Sequence, residues 1–329
     1  MTKADEILLG KLQVNIADAM KVHGEDDVVF VDGSWWLPTP DKRRLARQDF
    51  ETGSNDCIRI EGAHFFDIDD VATLPSPYPH MMPPPKLFAK AMQEMNISNH
   101  HHVIVYGQDK CPFVHRAWYQ LYAMGHSIER LHVLAGSASA WKEAGGPVVE
   151  KVTENPVKVF RAAELPDNES TTYQSVPDKA RQVVDIDHIR NVVKDYMAKA
   201  DTADRTMIVD ARSAERFLAQ VDEPRPGLRR GHMPGAKNLF FLNLLDPNDV
   251  TRLKPLPEVK SILQSQLGID TTADKLLDQI ITTCGSGATA ATVAFALLEC
   301  GVDPECVFLY DGSWMEYGLD DPKNPIETN

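Results

Sequence analysis

The chain runs through one succession of landmarks twice, and that duplication constrains its fold more than any other feature. "DVVFVDGSWW" (27–36) and "RTMIVDARSAERF" (205–217) both read as an apolar strand that ends in Val-Asp and passes into turn residues. "IEGAHFFDID" (60–69) is answered by "MPGAKNLFF" (233–241), each with a Gly-Ala turn ahead of an aromatic pair. "HHVIVYGQDKCPFVHRAWYQLYAMGH" (101–126) is answered by "QIITTCGSGATAATVAFALLECGV" (279–302), in each case a short apolar strand, a loop, a helix and a glycine suited to stopping that helix. "IERLHVLAGS" (128–137) and "ECVFLYDGSW" (305–314) close the two series, with Trp141 and Trp314 as matching tryptophans. A repeat kept in order predicts one structural unit built twice. Strands alternating with helices at this spacing predict α/β units, each a parallel sheet flanked by helices.

A length of 329 residues suits two such domains. The expected boundaries are 1–145 for the first domain, 146–179 for an inter-domain linker and 180–329 for the second. The linker is polar, punctuated by prolines and weakly periodic. Lys and Arg number 34 against 48 Asp and Glu, a formal charge of -14 that repels polyanions, so nucleic acid is not an expected partner. No apolar run approaches the roughly 20 residues that cross a bilayer, so no membrane is expected either. The start "MTKADEILLGKLQ" has neither a signal-peptide core nor a transit-peptide composition, so the expected location is cytoplasmic, with a mitochondrial share left open. The five cysteines (57, 111, 284, 300 and 306) form an odd set without a CxxC pair, which reads as reduced thiols of which one is reactive.

The reactive candidate is Cys284, at the point where a strand stops and a helix is about to begin. Gly285 and Gly287 allow successive backbone N–H groups to face one spot. That spot, at a helix N-terminus, favours an anion, and Cys284 is placed to supply it as a thiolate.

With these residues in view, the chain resembles the tandem-domain rhodanese sulfurtransferases. The resemblance is carried by "VDGSWWLP" (31–38), "GAHFFDID" (62–69), "SPYPHMMP" (76–83), "VDARSAERF" (209–217), "EPRPGLRRGHMPGA" (223–236), "CGSGATA" (284–290) and "LYDGSW" (309–314), in order along nearly the whole chain. It implies two rhodanese-like domains and an enzyme that takes sulfur onto Cys284 as a persulfide and passes it on. The loop after Cys284 is neutral, whereas thiosulfate users of the family usually carry basic residues there, so this chain is similar to the mercaptopyruvate-using type. The implied donor is 3-mercaptopyruvate, with pyruvate released and thioredoxin, small thiols or cyanide as acceptor.

The same resemblance implies roles for further residues. Arg216, expected at the third position of a helix capped by Ser213, and Arg225 match positions that hold the donor carboxylate, for which a planar guanidinium suits two parallel hydrogen bonds. Gly285, Gly287, Ala288 and Thr289 complete the substrate loop. Ser286, His80 and Asp69 match a hydrogen-bonded relay, with Asp69 orienting His80. No cofactor or metal is expected: the run "NHHHVIVY" (99–106) lacks ligand spacing. Arg229, Arg230 and His232 read as turn and domain-contact residues. Cys111 lies four positions past the place, near Gly107, that corresponds to Cys284, so the first domain reads as a catalytically silent copy that walls the cleft. Ala291 stands where relatives often carry a second cysteine.

Two rival readings are a thiosulfate sulfurtransferase and a sulfur-carrying or protein-binding module. A cysteine phosphatase would need an arginine where Ala290 stands. A monomer or weak dimer is expected.

Overall fold

A computed structural model describes residues 1–37, 46–54, 56–149, 173, 180–200, 205–271 and 277–328. It divides into two compact units. The first comprises 1–74, 82–181 and 246–252; the second comprises 75–81, 182–245 and 253–329. The expected linker 146–179 lies outside the described residues except for 146–149 and Tyr173. Tyr173 is buried in the first unit, its hydroxyl 2.8 Å from His126 Nδ1.

The sheet of the first unit is made of β1 (Gln13–Val14), β2 (Val28–Asp32), β3 (His64–Phe65), β4 (His102–Tyr106) and β5 (Leu131–Leu134), in the order β1-β5-β4-β2-β3. The second unit begins with β6 (Val183–Val184), β7 (Thr206–Asp210) and β8 (Lys237–Asn238). After a separate two-stranded element, β9 (Leu245–Asp246) with β10 (Asp249–Leu253), come β11 (Gln279–Thr283) and β12 (Val307–Tyr310). Its sheet order is β6-β12-β11-β7-β8, the same arrangement as in the first unit. Every pairing within both five-stranded sheets is parallel, and the central pairs have equivalent register: Asp32 lies beside Tyr106 as Asp210 lies beside Thr283. The repeat read from sequence is thus a repeat of topology.

Strand composition accounts for this. β4 is buried at every position and β11 at all but its first, which is why they read as unbroken runs of Val, Ile and Thr rather than as alternating strands. The helices Val114–Ala123 and Ala290–Glu299 follow β4 and β11 and are themselves largely buried. The matching tryptophans close equivalent corners of the two cores. Trp141, fully buried, packs on Phe30 at 5.1 Å between ring centroids. Trp314, also fully buried, packs on Tyr317.

One segment of each half of the sequence is counted with the other half's unit. Residues 75–81 belong to the second unit, and the flanks of that excursion are tied by the Thr73 hydroxyl donating to Met82 O at 2.6 Å. Residues 246–252 belong to the first, where Asp249 accepts from the Ser137 N–H at 3.0 Å.

Candidate active site

The site is built on the second unit, at the carboxyl end of β11. Cys284 is the first residue past the strand, and residues 284–289 connect it to the helix Ala290–Glu299. Apart from Thr292 that helix is apolar from Ala290 through Leu298, and the whole of that span is buried, so its N-terminus is held against the sheet by hydrophobic packing. Cys284 is 2% exposed, which shelters its sulfur from water.

Ser313 pins the loop from below. Its hydroxyl donates to Tyr310 O at 2.8 Å and accepts from the Cys284 N–H at 3.3 Å and from the Thr283 hydroxyl at 3.3 Å. The backbone of Ser313 is left-handed, with φ 50°, a strain of about 1 kcal/mol or more that these bonds offset. Next along the chain, the Trp314 N–H donates to Cys284 O at 3.0 Å and the Met315 N–H to Gly285 O at 2.9 Å. In a trans peptide the N–H points opposite to the C=O. The N–H groups of Gly285 and Ser286 are therefore turned away from the helix Ser313–Tyr317, and neither donates a hydrogen bond among the described residues. Two uncommitted amide donors in a buried loop at a helix N-terminus make a setting that favours an anion.

The two glycines serve different needs. Gly287 has φ 80°, a left-handed conformation that a side chain disfavours. At Gly285 a Cβ would lie 3.2 Å from Arg216 Nη2, a tight approach from which the guanidinium would have to give by a few tenths of an ångström. Arg216 therefore sits directly against the cysteine loop. It occupies the third position of the helix Ala214–Phe217, with Ser213 at the N-cap position as expected, although the Ser213 side chain makes no cap bond.

Arg216 is held by a ladder of alternating charges. Asp210, at the end of β7, accepts from Arg212 Nε at 3.0 Å and from Nη2 at 2.6 Å. Arg212 Nη1 donates to Glu223 Oε1 at 2.8 Å, and the Arg212 guanidinium lies 4.1 Å from the ring centroid of Trp314. Glu223 in turn accepts from Arg216 Nε at 3.2 Å and from Nη2 at 2.5 Å. The Asp210, Arg212 and Glu223 side chains are at most 2% exposed and Arg216 is 24% exposed, so the ladder leads from the core to an accessible end beside Gly285. Charges this deep persist only as mutually satisfied pairs.

The other expected site residues fall as follows. Ser286 and Ala288 are buried in the loop, and the half-buried Thr289 precedes the helix. Arg225, two residues past Glu223 in the same surface loop, is half-buried. His80 is 2% exposed, has a left-handed φ of 53° and lies in the excursion 75–81 that belongs to the second unit. Two residues before it, the Tyr78 phenol is shifted up by burial and by the Glu316 carboxylate, whose own affinity for its proton is raised by burial. Asp69 lies in the first unit, where it accepts from Trp35 Nε1 at 2.7 Å. Arg229 donates to Asn324 O, Arg230 pairs with Asp222 at the surface, and His232 stacks on Phe217 at 3.7 Å, all contacts within the second unit.

In the first unit the equivalent loop is differently equipped. Asp32, the counterpart of Asp210, has no arginine on it among the described residues: it accepts from the Ser34 N–H at 2.9 Å and from Gln108 Nε2 at 2.7 Å, and burial raises its pKa to about 6. The Cys111 thiol donates to Trp35 O at 3.2 Å, and burial pushes it up to about 11.

Asp210, Arg212, Glu223 and Ser313 were not singled out in the sequence. The Asp-x-Arg of "VDARS" and the acid of "DEPRPG" are signals, but nothing local says that they meet.

Comparisons with known proteins agree with this architecture. A model of the rhodanese-like domain matches residues 191–320. A 3-mercaptopyruvate sulfurtransferase of Escherichia coli K12 is 34% identical over 314 residues, which are 94% of this chain and 97% of that one. A thiosulfate sulfurtransferase of Cricetulus griseus is 30% identical over 293 residues, 87% of this chain and 84% of its own. Among solved structures, that of SseA from Escherichia coli, described as a 3-mercaptopyruvate sulfotransferase with the rhodanese fold, superposes with a TM-score of 0.68 at 30% identity, covering 92% of this chain and 99% of that one.

Proposed function

The chain belongs to the tandem-domain rhodanese family, among its 3-mercaptopyruvate sulfurtransferases, enzymes that transfer sulfur-containing groups, and on that premise we propose how its own residues carry the transfer. The Cys284 thiolate attacks the sulfur of 3-mercaptopyruvate. The carbon–sulfur bond breaks, its electron pair leaves with the carbon as pyruvate enolate, and the sulfur stays on Cys284 as a persulfide. Ser286 and His80 help to protonate the enolate. Asp69's part in that relay is implied by the family resemblance alone. Arg216 and Arg225 hold the donor carboxylate, and thioredoxin, a small thiol or cyanide removes the sulfur. The second half is the catalytic copy and the first the silent one, and the cytoplasmic location expected from the sequence belongs to this reading too.

The observation that carries the proposal is a fixed guanidinium, Arg216, against Gly285 of the loop that buries Cys284. A guanidinium beside the residue that follows Cys284, next to a loop that is itself neutral, supports the reading of Arg216 as the carboxylate anchor. Intact-protein mass before and after incubation with 3-mercaptopyruvate tests it: a gain of one sulfur, mapped to Cys284 and accompanied by pyruvate, is expected. The similarity to a thiosulfate sulfurtransferase keeps thiosulfate in view as a donor. A turnover number higher with thiosulfate than with mercaptopyruvate would favour that second reading.

A further inference from the structure

Glu223 is the hinge of the charge ladder. Its carboxylate faces two guanidinium groups with different needs. Arg212 gives it Nη1 but is also held by Asp210, by Gly231 O at 2.8 Å and by the face of Trp314. Arg216 has no comparable support: among the described residues its hydrogen bonds are the two to Glu223, one from Nε and one from Nη2. These engage one edge of the guanidinium. Nη1 stays uncommitted, and the end of the group lies against Gly285, where the missing Cβ would be 3.2 Å from Nη2 and 3.9 Å from Nη1.

From this geometry we infer that Glu223 is a positioning residue for donor recognition: by gripping Arg216 side-on it presents the remaining N–H groups of that arginine to the carboxylate of the donor. The inference rests on the reading that Arg216 binds that carboxylate. Two features make the grip effective. A long arginine free to rotate would lose rotamer entropy on each binding event, whereas the two bonds to Glu223 remove that freedom in advance. Glu223 is itself immobile, since its side chain is 2% exposed and Oε1 is shared with Arg212. Arg212 thereby acts as the anchor of the anchor, with Asp210 cancelling its charge. The acid adds no charge where it would repel a donor, because both carboxylate oxygens are turned onto guanidinium groups.

The test separates anchoring from mere folding by using two alkylating probes on the intact protein, with labelling of Cys284 followed by peptide mass. 3-Bromopyruvate carries the carboxylate and ketone of the proposed donor; iodoacetamide is neutral. Glu223→Gln is expected to slow bromopyruvate labelling about tenfold while leaving the iodoacetamide rate within about twofold. Arg216→Ala is expected to do the same, and the double variant to be no slower than Arg216→Ala, because one residue acts through the other. Glu223→Asp keeps the charge but not the reach, so it should lose the same selectivity, with the iodoacetamide rate again within about twofold of native as the sign that the cysteine loop is intact. If Glu223→Gln and Glu223→Asp both slow the two probes equally, or if the Glu223→Gln loss adds in full to that of Arg216→Ala, the positioning role is overturned. If Arg216→Ala leaves the ratio of the two rates unchanged, it is the carboxylate-binding reading of Arg216 that falls.

Discussion

Replacing Arg212 with methionine removes the central rung of the ladder and keeps most of its apolar volume. In the native protein Arg212 is fully buried, gives Nε and Nη2 to Asp210, Nη1 to Glu223 and Nη2 to Gly231 O, and lies 4.1 Å over Trp314. Among the described residues, methionine leaves the Asp210 carboxylate with the backbone N–H of residue 212, at 3.0 Å in the native protein, and Glu223 with Arg216. Removing one partner from a buried ion pair typically costs about 3–5 kcal/mol, and loss of the contact with Trp314 adds about 1 kcal/mol. The penalty comes from carboxylates left uncompensated in the core. Denaturant unfolding of native and Arg212→Met protein at neutral pH is the assay, and a deficit of about 4–6 kcal/mol is expected. A deficit below about 1 kcal/mol would show that the ladder is not a set of buried charges requiring one another.

Cys284→Ser should abolish sulfur uptake from mercaptopyruvate while leaving the thermal midpoint within about 2 °C, since the change is isosteric; residual pyruvate release at the native rate would refute the nucleophile. Gly285→Ala would bring a methyl within 3.2 Å of Arg216 Nη2, and because Glu223 prevents the arginine from yielding, KM for mercaptopyruvate should rise about threefold to tenfold in steady-state assays, an unchanged KM counting against the contact. Asp32, lifted by burial to about 6 against an ordinary 3.8, should make stability fall by about 2 kcal/mol as pH rises from 4 to 7, and Asp32→Asn should flatten that dependence in pH-resolved unfolding. Equal slopes for the two proteins would contradict it. Burial pushes the thiols of Cys111 and Cys300 up to about 11, so brief iodoacetamide treatment at pH 7.5 (about neutral) should leave both unlabelled by peptide mass, and rapid labelling of either would show that its surroundings are open.

Much of this molecule could be read before any coordinate was known. The ordered repeat foretold two parallel α/β units, and their strands share one topological order because apolar runs of strand and helix length are local instructions that a duplicated sequence gives twice. The cysteine loop was legible for the same reason: strand, Cys284, Gly285, Gly287 and helix are contiguous, and the backbone needs of that turn are written in the residues that make it. The position of Arg216 on its helix was legible too, three residues past Ser213.

What the arginine leans on was not legible. Glu223 is seven residues away through a loop with no periodicity, and Ser313 reaches Cys284 across 29 positions, so both contacts exist only once β7, β11 and β12 lie side by side. His80 shows the same limit, since its place in the second unit depends on an excursion of chain from the first half of the sequence. Sequence by itself determined the two units and the loop that holds the sulfur, because hydrophobic periodicity and glycine placement act over a few residues. The tertiary structure alone decided which charges face one another, because pairing in a low-dielectric interior depends on ångström-scale proximity between segments that the chain keeps far apart.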